Sequence, residues 1–120
     1  RWLQERPEVI RVMHPGLPQD PGHELWKRDF TGASGLFGFV VDSTNPDRAA
    51  AMLDGLNFHG MGSSWGGFES LLIPASPEKN RTATEWNPGG LTMRIHVGLE
   101  DIDDLIADLD AGFERYNKAG

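Results

Sequence analysis

The sequence predicts an α/β domain of the α+β sandwich kind, a mostly antiparallel sheet with helices on one face. Three observations carry that reading. Short apolar or alternating runs recur at residues 9–13, 36–41, 70–74 and 92–97. Helix signals fall between and after them. Pro- and Gly-rich stretches such as HPGLPQDPG separate the elements.

The elements follow in order. RWLQER (residues 1–6) reads as the end of a helix, stopped by Pro7. This opening, without an initiator Met, fits a piece of a longer protein; a processed terminus is the alternative. VIRVM (residues 9–13) is a β-branched run and a strand. Residues 14–22 form a loop, because each Pro removes an amide donor and restricts the residue before it. HELWKRDF (residues 23–30) fits a short helix. LFGFVV (residues 36–41) is nearly all apolar and suits a strand buried on both faces.

In NPDRAAAMLDGLNFHG, Asn45 is the N-cap, Pro46 the first helical residue, and Asp47 favours the positive end of the dipole. Ala49, Leu53 and Leu56 share one face, and Gly60 is expected just beyond the end. SLLIP (residues 70–74) is a short strand ended by proline, and residues 75–90 are polar and loop-like. TMRIHV (residues 92–97) alternates, with Met93, Ile95 and Val97 on one face and Thr92, Arg94 and His96 on the other. Ile102, Leu105, Ile106, Leu109 and Phe113 have helical spacing, and Glu100 and Asp101 open that helix.

Composition narrows the function. The 120 residues fit one domain, with 38% apolar residues and no apolar run near the roughly 20 that span a bilayer. No signal peptide is legible. The lack of cysteine excludes disulfides and thiolate zinc sites, and is compatible with a reducing cytosol. A formal net charge of −7 disfavours nucleic acid. Much of the acidity lies in EDIDDLIADLDAGFE (residues 100–114), read as a solvated helix face. The four histidines form no metal-ligand pattern, and no metal site is expected.

Two features bear on binding. Arg94 sits mid-strand. It is either an exposed or Glu69-paired structural arginine, or a guanidinium fork facing a cleft, where its planar donors match a carboxylate. GSSWGGFES (residues 62–70) brings glycines, serines and Trp65 together. It is either a turn with Trp65 in the core, or a loop whose free amides, Ser64 hydroxyl and Trp65 wall complete an anion site. It does not match G-x-G-x-x-G, so a phosphate cradle fits poorly. His96 shares the Arg94 face, and a structural role is its plainer reading. Lys27, Lys79 and Lys118 lie in polar contexts unsuited to an activated amine.

The blocks VMHPGLPQDPGHELWKRDFTGASGLFGFVV, SSWGGFESL and MRIHVGLEDIDDLIADLDAGF resemble the C-terminal domain of the cystathionine β-lyases, within the Cys/Met-metabolism (trans-sulfuration) family of pyridoxal-phosphate enzymes. The family pattern Ser-x-Gly-Gly-x-Glu-Ser is met by Ser64 to Ser70, and Trp65 at its second place is more like the β-lyases than the γ-synthases or γ-lyases. The resemblance implies the small C-terminal domain of the fold-type I fold. Residues 1–8 would end an interdomain helix, and residues 9–120 would hold the substrate carboxylate. It implies that Arg94, Ser64 and Trp65 bind the α-carboxylate of cystathionine. The full-length lyase would yield homocysteine, pyruvate and ammonia in methionine biosynthesis. The pyridoxal 5'-phosphate and its lysine would lie in an N-terminal domain, leaving no catalytic or cofactor-binding residue in this chain and no activity in it alone. It further implies a cytoplasmic homotetramer. Tyrosine precedes the serine in some close relatives, where this chain has Ser63; that implies a change in pocket shape. A γ-synthase or γ-lyase domain, and a stand-alone carboxylate-binding module, are the alternatives. A free chain is expected to expose apolar surface around Trp2, Leu3 and Trp65 and to self-associate.

Overall fold

Local chemistry sets the elements of the computed structural model, which describes all 120 residues. A 3-10 turn, Trp2–Glu5, takes the place of the expected helix end. It stops because Pro7 forces Arg6 into an extended conformation, with φ −79° and ψ 131°. β1 (Val9–Met13), α1 (His23–Asp29), β2 (Leu36–Val41), α2 (Pro46–Leu53), β3 (Leu71–Ala75), β4 (Thr92–His96) and α3 (Ile102–Lys118) follow, with a second 3-10 turn at Pro77–Lys79.

The four strands form one sheet in the order β1-β2-β4-β3, and every neighbouring pair is antiparallel. One face of that sheet carries Phe39, Val41, Leu72, Met93 and Ile95. It packs on Met52 and Leu53 of α2 and on Leu109, Phe113 and Tyr116 of α3, forming the core. The other face carries Thr92, Arg94 and His96. The sandwich with helices on one face is therefore the observed fold, and β2 ends buried on both faces at Phe39, Val40 and Val41.

Asn45 caps α2 as its sequence demands, accepting from the Asp47 amide at 2.9 Å, with Pro46 in the first turn. The helix ends earlier than its apolar spacing predicts, at Leu53 rather than before Gly60. Gly60 instead pairs with the next strand, donating to the Ser70 carbonyl and accepting from the Leu72 amide. Pro74 does not end β3, which runs on to Ala75. β3 is an edge strand, where a missing amide is tolerated. Asp101 alone caps α3, accepting from the amides of Asp103 and Asp104. Glu100 stands outside the helix.

The N-terminal residues also differ from expectation. Leu3 is buried, and Trp2 packs against Phe113 with ring centroids 6.3 Å apart. Trp65 is exposed as expected, and further exposed apolar residues include Phe68, Leu99 and Ile102. No helix is long and apolar enough to cross a membrane.

Candidate carboxylate site

β4 is the central strand that aims the candidate site. Arg94 pairs in register with Gly38 of β2 and Ile73 of β3. Gly38 leaves room beside it that the Met13 side chain occupies, since a Cβ there would sit 2.7 Å from Met13 Cε. The Arg94 guanidinium turns toward the loop between α2 and β3. Its Nη2 donates to the Ser63 carbonyl at 2.6 Å, and its central carbon lies 5.1 Å from the centre of the Trp65 ring. It makes no ion pair, with Glu69 or any other carboxylate.

Trp65 is 58% exposed, so it is not a core residue. Ser64 and Trp65 line one shallow recess of about 220 Å³ with Gly67, Phe68, Glu69 and Leu71. Gly66 has φ +86°, a conformation that favours glycine. The amides of residues 64–68 make no hydrogen bond within the chain. Ser64 and Trp65 line this recess and Arg94 does not; Arg94 reaches the same loop through the Ser63 carbonyl and the Trp65 ring, a cation bonded to a neutral carbonyl near unused amides.

The base of this loop is fixed. The Ser70 hydroxyl donates to Glu100 Oε2 at 2.7 Å, the Ser70 amide donates to Oε1 at 2.9 Å, and the Gly98 amide donates to Ser70 Oγ at 2.8 Å. Burial raises the Glu100 pKa, but the Ser70 amide, the Ser70 hydroxyl and its own backbone amide outweigh it, and the net shift is downward. A Cβ on Gly98 would collide with the Phe68 carbonyl, so the strand end and the loop touch backbone to backbone. His96 closes the same side, its Nε2 3.0 Å from the Gly67 carbonyl.

The acidic run hid a buried anchor. Asp108 is not part of a solvated face: it is 6% exposed and accepts from the amides of Asn57, Phe58 and His59 and from the His59 ring. Burial pushes its pKa up, and the amides and the His59 ring pull it further down. His59 lies in the connection between α2 and β3, and its side chain is fully buried. The sequence signal for this pair was weak, because i and i+4 apolar neighbours Leu105 and Leu109 were the only hint that Asp108 faces inward. Beside His59, an apolar cleft of about 460 Å³ lies on the helix side of the sheet, away from Arg94.

Lys27 on α1, Lys79 on the second 3-10 turn and Lys118 at the end of α3 are all exposed. None lines the recess beside Trp65.

Comparison with known proteins places the chain. Residues 1–114 match the family model for Cys/Met metabolism PLP-dependent enzymes. The chain is 52% identical over 118 residues to cystathionine beta-lyase MetC of Escherichia coli K12, covering 95% of this chain and 30% of that protein. It is 49% identical over 118 residues to cystathionine beta-lyase of Salmonella typhimurium LT2, again 95% of this chain and 30% of that protein. Among solved structures, cystathionine gamma synthase of Xanthomonas oryzae pv. oryzae in complex with cystathionine superposes with a TM-score of 0.83 at 29% identity, covering 99% of this chain and 32% of the other. The chain thus spans about 30% of the length of the curated relatives it matches. It belongs to the Cys/Met metabolism family of PLP-dependent enzymes.

Proposed function

We propose that these residues are the C-terminal domain of a pyridoxal-phosphate-dependent cystathionine β-lyase, and that they hold the α-carboxylate of the substrate. The observation that carries the reading is the state of Arg94: a guanidinium over the Trp65 ring, bonded to the neutral Ser63 carbonyl and to no carboxylate. A charged acceptor outcompetes a neutral one, because charge-assisted hydrogen bonds are about twice as strong. The loop amides and the Ser64 hydroxyl add donors, and Trp65 shields the pair from water. Fixing the carboxylate orients the rest of the amino acid against the reacting centre, which lowers the barrier through positioning.

The cofactor supplies the electron sink for proton loss and thiol elimination when bound, and its lysine belongs to the part of the polypeptide outside these residues. The β-lyase reading draws on the 52% and 49% identities to β-lyases. The runner-up is a γ-type enzyme, favoured by the fold likeness to a cystathionine gamma synthase at 29% identity. Product analysis separates them. L-Cystathionine given to the complete enzyme yields pyruvate by β-elimination and 2-oxobutanoate by γ-elimination. Arg94→Ala is expected to raise KM and lower kcat/KM; an unchanged KM would remove Arg94 from the carboxylate site.

A further inference from the structure

We infer that His96 is a positioning residue for this site, holding the tip of the glycine loop over β4 independently of what Arg94 binds. The inference rests on the carboxylate reading of Arg94. Arg94 and His96 lie two residues apart on one strand, so their side chains leave the same face about 7 Å apart. Each ties down one carbonyl of the loop. Arg94 Nη2 donates to Ser63 at 2.6 Å, and His96 Nε2 lies 3.0 Å from Gly67. A carbonyl only accepts, so the His96 proton sits on Nε2 and the ring donates. The two carbonyls bracket Ser64 and Trp65, both of which line the recess.

The two ties differ in kind. The Arg94 tie is exchangeable, because an arriving carboxylate competes for the same guanidinium. The His96 tie is not, because its Nε2 faces the Gly67 carbonyl from a ring that is only 9% exposed. Behind it the chain is fixed by Leu99 donating to Phe68 at 2.9 Å and by the Ser70–Gly98 bond. His96 is the last tie before Gly66, whose amide makes no hydrogen bond within the chain. When Arg94 releases Ser63 for a substrate, His96 keeps Ser64 and Trp65 beside it.

The test uses the complete enzyme with L-cystathionine. His96→Leu is expected to raise KM about fivefold to tenfold with kcat changed less than about twofold, as for loss of one buried hydrogen bond. His96→Gln, which keeps an N–H donor of similar reach, is expected to return KM to within about twofold of the native value. Amide exchange of residues 62–68 without substrate is expected to quicken in His96→Leu and not in His96→Gln. Should the Leu variant not fold, His96→Asn, too short to reach Gly67, takes its place. Equal behaviour of the long-donor variant and the variant lacking the bond, in both readouts, overturns the inference. Arg94→Ala tells the two failures apart. A raised KM there with native KM in the His96 variants leaves the carboxylate site standing and removes His96. An unchanged KM in Arg94→Ala removes the carboxylate site, and this inference with it.

Discussion

Glu100 receives both the amide and the hydroxyl of Ser70, at 2.9 and 2.7 Å, across 30 residues of sequence. One carboxylate thereby closes the base of the glycine loop against the strand that carries Arg94. Ser70 is fully buried, and its oxygen also accepts from Gly98. Ser70→Ala removes the donor to Glu100 and leaves the Gly98 amide without a partner. The expected cost is about 1–3 kcal/mol, the penalty of an unsatisfied buried donor. Urea unfolding checks it, and a midpoint equal to the native protein's would show that the clasp adds no stability.

Asp108 is the more consequential anchor. It satisfies three consecutive amides and the His59 ring at the end of the α2 connection. Asp108→Ala strands all four donors in a site where His59 is fully buried. A loss of about 3–5 kcal/mol is expected, as when one partner of a buried charged network is removed. Asp108→Asn keeps two lone pairs and is expected to lose less. Equal loss in both would assign the effect to the negative charge and the second acceptor oxygen, which Asn lacks, rather than to side-chain volume.

The pH dependence of stability follows from the same carboxylates. Glu8, Glu100 and Asp108 all have lowered pKa values in the fold; burial opposes this at each, and hydrogen bonds overcome it. Below the ordinary values of 4.5 for Glu and 3.8 for Asp the unfolded chain binds more protons than the folded one. Their contribution is therefore complete above those values and is lost as pH falls through the lowered ones. Tyr116 acts at the other end. Burial, then its bond to Asp42, raises its pKa from 10.0 to about 12. Its contribution is complete below pH 10 and fades toward 12. Unfolding free energy measured across pH is expected to fall at both ends, and a flat acid limb would contradict the carboxylate assignments.

Much of this was legible in residue order. The alternation at Thr92 to Val97 placed Arg94 and His96 on one face, and the Asn45-Pro46-Asp47 signal set the start of α2, because both depend on neighbours in sequence. The end of α2 was not legible. Leu56 has helical spacing, yet Gly60 is claimed by Ser70 and Leu72, a pairing that only the folded sheet creates. Asp108 and Glu100 were hidden for the same reason. A carboxylate in an acidic run reads as solvated until its distant amide partners are known. Trp65 was ambiguous because a tryptophan beside two glycines fits a core turn or a surface wall equally, and only its exposure chooses.

The Arg94–Trp65 pair gives the sharpest test of the site itself. Arg94→Lys keeps the positive charge and discards the planar fork and most of the stacking on Trp65. If geometry matters, the complete enzyme with Arg94→Lys is expected to lose about 10- to 100-fold in kcat/KM for L-cystathionine, since one of two parallel charge-assisted bonds goes. Trp65→Ala keeps the fork and removes the wall. It is expected to cost about threefold to tenfold, the scale of a partly exposed cation–π contact with added water access. Because the two side chains touch at 5.1 Å, the double variant is expected to lose less than the product of the single losses. Steady-state kinetics on the four proteins checks this. Strict multiplicativity would mean that Trp65 acts on the substrate side chain and not through the guanidinium. Native rates in Arg94→Lys would reduce the site to a point charge.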